Sequence, residues 1–269
     1  MPRRPIPSSL LPLLLLLLAA PLQAQDAEQP PELPLGLNLP TADHLPGWHP
    51  AIRFTHRFTE PAKGSSKDFY GLDGGNFAGL GLDIGIAAVP GLNAQIYRTA
   101  DDKTVVLALQ EQLLDRAHIR LAARVERFDE TLQRATYAFG TVGISGAAVQ
   151  LPAELVAGSF TFSLVPTWLS RTTTRDKALF TAGAGLRWRF LESQSVLAEY
   201  YPRPSRLDGA SYEQGYAVGY RFQTKGHRFT LLATNVQGTT AHQVLGGDYA
   251  GGPRPPGRWA LGFNLVRIF

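Results

Sequence analysis

Apolar and polar residues alternate along most of this chain, in runs separated by turn residues. We call each of the two sets of alternate positions along a run a parity. In the run FAGLGLDIGIAA, which covers 77–88, Leu80 and Leu82 belong to the apolar parity, while glycines and Asp83 occupy the other parity. Side chains of a β-strand point alternately to opposite faces, whereas a helix needs apolar residues three and four positions apart. The pattern therefore predicts strands with one apolar face, up to the last run, RWALGFNLVRIF, which ends on Phe269.

The alternation predicts an all-β fold of about twelve strands. We expect these strands at 48–59, 76–88, 92–99, 104–114, 117–127, 135–144, 158–170, 178–190, 195–201, 211–222, 227–236 and 258–269. Connections after odd-numbered strands are mostly long or charged, and those after even-numbered strands are mostly tight, which is typical of an up-and-down antiparallel barrel. Two connections depart from this rule: 100–103 is short, and 145–157 is long enough to hold a further strand.

The polarity of the two faces distinguishes a soluble barrel from a membrane barrel. A soluble sandwich or lipocalin-like barrel points its apolar side chains inward, whereas a transmembrane barrel points them into lipid. Here the polar parity carries glycine and arginine but few of the lysines and glutamates that coat soluble proteins. Aromatic residues lie toward strand ends on the apolar parity: Trp168, Trp188, Phe190, Tyr200, Tyr212, Phe222, Trp259 and Phe269. Because membrane barrels carry such aromatic girdles, we predict a transmembrane β-barrel over 48–269.

The N-terminal part of the chain carries two different signals. Two early arginines, the apolar run LLPLLLLLLAA and the small residue Ala24 fit a secretory signal peptide over 1–24, which predicts export to the cell outer membrane. A membrane anchor is the alternative, but the apolar run is short and contains Pro12. Residues 25–47 are rich in proline and aperiodic, so we expect an extended periplasmic arm there.

Composition and charge narrow the classes of function. The absence of cysteine excludes disulfides, thiolate metal sites and a lipidated N-terminal cysteine. The net charge of +4 comes from basic residues spread singly, so nucleic acid is not an expected partner. His56 and His118 lack ligand partners at metal-site spacing, and we therefore expect no metal and no cofactor. No Gly-x-Ser-x-Gly motif indicates a catalytic serine.

Charged residues on the polar parity are candidates for lining the barrel lumen. They are Arg53, Arg57, Asp83, Arg120, Arg124, Glu126, Arg187, Arg189, Glu199, Glu213, Arg221 and Arg228. Arginine stays charged and binds carboxylate or phosphate with two donors, so this lumen could select anionic solutes. The alternative is that these residues pair with one another and simply fill a narrow barrel.

The last strand carries the features of an assembly signal. Phe263, Leu265 and Phe269 share its apolar parity. A terminal aromatic residue on such a strand resembles the C-terminal signature of bacterial outer-membrane barrels, which the outer-membrane assembly machinery reads. Arg267 departs from that signature, since an apolar residue is commoner there, but its long side chain can reach the lipid headgroups.

Five motifs carry a resemblance to a known family: IRFTHRF, YGLDGGNFAGLGLDIGI, LVPTWL, TNVQGTT and GFNLVRIF. With them the chain resembles an uncharacterised family of Gram-negative bacteria, described only as a membrane-bound β-barrel domain of unknown function. The resemblance covers about 50–269 and implies the barrel fold without implying an activity.

These patterns together predict an outer-membrane barrel surrounded by membrane lipid. Porin-like passive passage of small solutes, with a preference for anions, is the function that they favour most. A closed structural barrel whose extracellular loops bind a partner is the second hypothesis, and an outer-membrane enzyme is the third. No catalytic residue is predicted.

Overall fold

The computed structural model describes residues 33–58, 76–100, 103–132, 142–171, 178–202, 214–236, 238–246 and 259–269. Within these ranges the strands are β1 (Pro50–Phe58), β2 (Asn76–Gly85), β3 (Leu92–Thr99), β4 (Val105–Asp115), β5 (Ile119–Leu132), β6 (Val142–Gln150), β7 (Ala153–Ala157), β8 (Phe160–Leu169), β9 (Leu179–Leu191), β10 (Gln194–Tyr201), β11 (Gly215–Gln223), β12 (His227–Thr234) and β13 (Ala260–Ile268). One helix, α1, covers Ala241–Gly246. In the described ranges, no helix has the length and hydropathy needed to cross a bilayer.

Hydrogen bonds close the strands into a cylinder. Neighbouring strands are antiparallel, and β1 pairs with β13 in a register that runs from Ala51 opposite Ile268 to Arg57 opposite Gly262. Closure satisfies the backbone groups that an open sheet edge would expose to hydrocarbon. The predicted up-and-down transmembrane barrel is confirmed. We call the end where β1 begins and β13 ends the terminal end, and the opposite end the loop end.

The segments β6 and β7 together occupy one strand position between β5 and β8. Both pair with β5 and with β8, and each pairing keeps one register across the two segments. Leu151 and Pro152 separate them, since proline lacks the N–H that a ladder bond needs. The barrel thus has twelve strand positions. The prediction for 145–157 as a connection is wrong at Ala153–Ala157 and in β6, and 135–141 of the predicted sixth strand lies outside the described residues.

The two faces of the wall have opposite polarity, as the alternation predicted. Leu80, Leu109 and Leu231 point outward and are 58%, 50% and 52% exposed. The inward face buries polar residues such as Arg53 and Asp83. A water-soluble barrel would bury the leucines and expose the charges, so lipid is the medium that suits this outer surface.

Aromatic residues cluster at both ends of the outer face. At the terminal end, the rings of Trp188 and Phe160 stack with centroids 6.1 Å apart. At the loop end, the rings of Tyr200 and Tyr216 lie 5.4 Å apart. These positions match the aromatic girdles that the sequence predicted, although Tyr212 lies outside the described residues.

Two segments that do not belong to the wall fill the interior. We call residues 33–46 the plug and residues 238–246, which include α1, the insert. Leu37 of the plug is 1% exposed, and Leu245 of the insert is completely buried in the same apolar cluster. The extended periplasmic arm predicted over 25–47 is therefore not what residues 33–46 form. The aperiodic segment instead finds hydrogen-bond partners for its backbone inside the lumen.

Candidate functional site

The structure describes eleven of the twelve charged residues predicted for the lumen, and all eleven lie on the inward parity of their strands. Nine of them are buried: Arg53, Arg57, Asp83, Arg124, Glu126, Arg187, Glu199, Arg221 and Arg228. Arg120 and Arg189 are half-buried nearer the terminal end. Glu213 lies outside the described residues. The inward side chains therefore surround the plug, and their contacts with it define the candidate site.

The plug enters and leaves the barrel at the terminal end, so that it forms a loop inside the lumen. Leu33 and Leu45, near its two ends, pack in one cluster with Val266 and Ile268 of β13. The hydroxyl oxygen of Thr41 lies 3.4 Å from the carbonyl oxygen of Leu33, across the loop. This folded loop carries its tip, residues 37–39, deep into the barrel.

Glu199 on β10 holds the tip of the plug. Its Oε1 accepts a hydrogen bond from the backbone N–H of Leu37 at 2.5 Å. Its Oε2 accepts bonds from the backbone N–H groups of Asn38 at 2.8 Å and Leu39 at 3.2 Å. The hydroxyl of Tyr201 also donates to Oε2, at 2.5 Å. A buried carboxylate needs such donors, and three of the four come from the plug.

Arg57 on β1 and Asn264 on β13 hold the same tip from a second part of the wall. Arg57 donates from Nη2 to Oδ1 of Asn38 and from Nη1 to Oδ1 of Asn264, both at 2.8 Å. Asn264 in turn donates from Nδ2 to the carbonyl of Leu37 at 2.8 Å. Asn38 also donates from Nδ2 to the hydroxyl of Tyr201 at 2.8 Å. The tip is thus bound through both its backbone and a side chain.

Further wall side chains donate to carbonyl groups of the plug. Arg221 on β11 donates from Nη2 to the carbonyl of Gly36 at 2.7 Å. Gln110 on β4 donates from Nε2 to the carbonyls of Thr41 at 2.8 Å and Asp43 at 3.0 Å. The backbone polar groups of this irregular segment are therefore paired with the wall, as burial requires.

The returning limb of the plug places a carboxylate between two wall arginines. Asp43 forms an ion pair through Oδ1 with Nη1 of Arg120 on β5. Its Oδ2 lies 3.9 Å from Nη1 of Arg187 on β9. Glu154 on β7 lies 3.6 Å from Nε of Arg120, on another edge of the same guanidinium. The hydroxyl of Thr41 donates to Oδ2 of Asp43 at 3.2 Å.

The insert fills the lumen beside the plug. Leu245 of the insert and Leu39 of the plug belong to one buried apolar cluster. The ring of His242 stacks on Phe128 of β5, with centroids 4.0 Å apart, and its Nε2 lies 2.7 Å from Oε2 of Glu130. In the described part of the chain, no group of three or more His, Asp or Glu side chains is arranged to hold a metal ion.

Two small cavities lie between described residues of the plug and the wall. Their volumes are about 20 and 30 Å³. Pro40 of the plug borders both cavities, with Arg187 on one side and Arg124 on the other. Each volume suits about one or two water molecules. Neither cavity therefore has room for a hydrated solute.

Sequence reasoning missed three carboxylates that the lumen uses. Asp43 lies in an aperiodic segment, where no periodicity predicts which side chains are buried. Glu154 lies in a segment that the sequence assigned to a connection. Glu130 lies three residues beyond the predicted end of its strand at 127, and it shares the inward parity of that strand. A longer estimate of that strand would have identified Glu130.

Solved structures with a similar fold include outer-membrane proteins. A KdgM porin is 12% identical, with 81% of this chain and 99% of that chain covered and a TM-score of 0.49. An outer membrane channel from Pseudomonas putida F1 is 14% identical, with coverages of 84% and 97% and a TM-score of 0.45. Outer membrane phospholipase A from Escherichia coli is 8% identical, with coverages of 83% and 92% and a TM-score of 0.42. No curated protein matches the chain. Residues 36–269 match the family described as Membrane bound beta barrel domain (DUF5777), and the chain belongs to this family.

Proposed function

We propose that the protein is an outer-membrane channel whose lumen is closed at rest by the plug. When the plug leaves the lumen, small solutes pass passively, as in a porin, and anions pass more readily than cations. A signal peptide over 1–24 directs export, membrane lipid surrounds the wall, and the outer-membrane assembly machinery reads Phe263, Leu265 and Phe269. The terminal end then faces the periplasm.

The observation that carries this proposal is the way in which the plug is held. Its contacts with Glu199, Arg57, Arg120 and Gln110 are hydrogen bonds and ion pairs from side chains of the wall. Water can replace such contacts one at a time. The chain has no cysteine that could fix the plug covalently. A permanently closed barrel can fill its interior with its own side chains, so a separable segment favours a lumen that opens.

The wall around the plug carries an excess of positive charge, which supports a preference for anions. The buried and half-buried inward strand positions of the described residues hold eight arginines and five carboxylates. The carboxylates are Asp83, Glu126, Glu130, Glu154 and Glu199. Removing the plug also removes Asp43, which is paired with Arg120. A lumen with this balance attracts anions and repels cations, most strongly at low salt.

Planar-bilayer recording of the purified protein tests the proposal. We expect rare openings from the wild type and steady conductance from a variant that lacks 33–46. In a potassium chloride gradient, the reversal potential should lie between zero and the equilibrium potential of chloride. A variant that lacks 25–32 keeps the plug and is the matched control. A further variant lacks the plug and has a short linker in place of the insert, 238–246. It tests whether the insert alone can keep the lumen closed. Absence of current from both folded plug-deletion variants would contradict the channel.

A closed structural barrel is the second candidate function. The observation that favours it is the tight anchoring of the insert, where His242 contacts both Phe128 and Glu130. An insert held in this way can keep the lumen shut without the plug. If the folded plug deletion stays silent in bilayers while the double deletion conducts, the insert keeps the lumen shut, which would support this candidate over the channel.

A further inference from the structure

We propose that Arg120 and Arg187 form a binding site for solute carboxylates, and that Asp43 of the plug occupies this site in the closed state. The inference rests on the proposed function and deepens it by naming the class of solute, small carboxylic acids. Asp43 then acts as a built-in competitor: a solute carboxylate that binds the two arginines takes the place of the residue that helps to keep the plug in the lumen.

The contacts of Asp43 are those of a bound carboxylate ligand. One oxygen pairs with Nη1 of Arg120, and the other lies 3.9 Å from Nη1 of Arg187 and accepts a hydrogen bond from Thr41 at 3.2 Å. Asp43 is 4% exposed, so its charge depends on these partners rather than on water. Charge-assisted contacts from guanidinium groups are the means by which arginine binds carboxylates, and here two arginines face the same one.

The donors that face Asp43 are distinct from those that face Glu154 and Thr161 of the wall. Glu154 approaches Arg120 at Nε, at 3.6 Å, whereas Asp43 pairs with Nη1. Thr161 accepts from Nη2 of Arg187 at 3.4 Å, whereas Asp43 faces Nη1. Departure of the plug therefore removes Asp43 from the two Nη1 groups without breaking the contacts with Glu154 and Thr161.

The strands that carry the two arginines are paired with their neighbours in the wall, and this pairing does not involve the plug. Arg120 lies opposite Glu154 in the pairing of β5 with β7. Arg187 lies opposite Thr161 in the pairing of β8 with β9. β7 pairs directly with β8, so both arginines belong to one continuous part of the wall. Residues on paired strands keep their positions better than residues on loops.

Competition between a solute and Asp43 couples binding to opening. A ligand that binds only the plug-free site shifts the equilibrium toward the plug-free state. By the same linkage, any change that weakens the plug raises the apparent affinity for the solute. Removing the charge of Asp43 is the smallest such change, because asparagine keeps the shape of the side chain.

Calorimetric titration of the full-length protein in detergent with succinate, in a buffer low in chloride, tests this inference. We expect Asp43→Asn to bind succinate about tenfold more tightly than the wild type, because the competing carboxylate is gone. Adding Arg120→Gln and Arg187→Gln to that variant should abolish binding. The matched control is Asp83→Asn, which neutralises a lumen carboxylate that contacts Gln95 and Arg53 instead of the plug. 1,4-Butanediol, which has the length of succinate without its charges, should not bind.

Several outcomes would overturn the inference. One is equal affinity for succinate in Asp43→Asn and the wild type. Another is an equal gain in Asp83→Asn, which would indicate a general effect of charge. A third is binding that persists without both arginines. If Asp43→Asn does not fold, the plug deletion takes its place and must bind succinate more tightly than the wild type. Conductance of the plug deletion without succinate binding would contradict only this site, whereas succinate binding without conductance would contradict only the channel.

Discussion

Replacing Glu199 with glutamine should loosen the plug while leaving the strand pairing of the wall unchanged. The carboxylate accepts three backbone N–H groups of the plug, from Leu37, Asn38 and Leu39. Glutamine keeps one acceptor oxygen and replaces the other by an NH₂ group. That NH₂ group would then face N–H donors of the plug, and two donors cannot bond to each other.

The size of the effect follows from the bonds that are lost. A hydrogen bond to a charged group stabilises by about 1.5–3 kcal/mol, and the oxygen that disappears accepts either one or two of the plug's bonds. Removing the charge also removes the cost of burying it in the closed state, which offsets part of this loss. We therefore expect the closed state to lose about 1.5–3 kcal/mol, which corresponds to a ratio of open to closed channels about 10- to 100-fold higher.

Single-channel recording at fixed voltage measures this ratio as the fraction of time spent open. The matched control is Glu126→Gln, which neutralises another buried lumen carboxylate, one whose Oε1 accepts a hydrogen bond from Arg124 of the same strand at 2.6 Å. The control should change the open fraction by much less than Glu199→Gln. If both variants open no more often than the wild type, Glu199 does not hold the plug and the reasoning above is refuted.

Three other predictions concern the contact between the plug and Glu199, the lipid-facing surface and assembly. Gly36→Ala should also raise the open fraction, because the added Cβ would collide with Oε1 of Glu199. An unchanged open fraction would contradict the close contact between Gly36 and Glu199. Leu80→Lys, in the middle of β2 on the outer face, should lower the free energy of unfolding in lipid vesicles by about 2–4 kcal/mol. Ile119→Lys, at the end of β5, should lower the same free energy of unfolding by only about 0–1 kcal/mol. Equal losses in Leu80→Lys and Ile119→Lys would contradict the depths in the membrane that we assign to the two residues. Deleting Phe269 should reduce the amount of folded protein in the outer membrane while Phe269→Trp should not, and unchanged folded protein after the deletion would refute the assembly signal.

The wall of the barrel was predictable because each of its strands has only two sides. Once Leu80 and Leu82 are assigned to lipid, Gly81 and Asp83 must point inward, and the same rule places Arg53. The structure agrees, since Asp83 and Arg53 are buried while both leucines are exposed. Such alternation is visible from neighbouring residues in the sequence, so it can be recognised without knowing which distant residues are in contact.

The contents of the lumen were not predictable in the same way. The plug is surrounded by protein, so its burial leaves no period in the sequence, and its prolines and polar residues read as an exposed arm. Asp43 meets Arg120 and Arg187 only because the closed barrel brings β5 and β9 near the returning limb. Similarly, β7 was missed because Pro152 interrupts the alternation at the point where it would have been recognised.

Hydrogen–deuterium exchange of the plug amides, in protein reconstituted into lipid vesicles, tests the central claim most directly. The N–H groups of Leu37, Asn38 and Leu39 donate to the carboxylate of Glu199. The N–H of Leu45 donates to Oδ1 of Asn93 on β3. We predict that these four amides exchange far more slowly than those of a free peptide of the same sequence, and that Glu199→Gln accelerates the first three. Exchange at the rate of the free peptide in the wild type would mean that the lumen is not closed by residues 33–46.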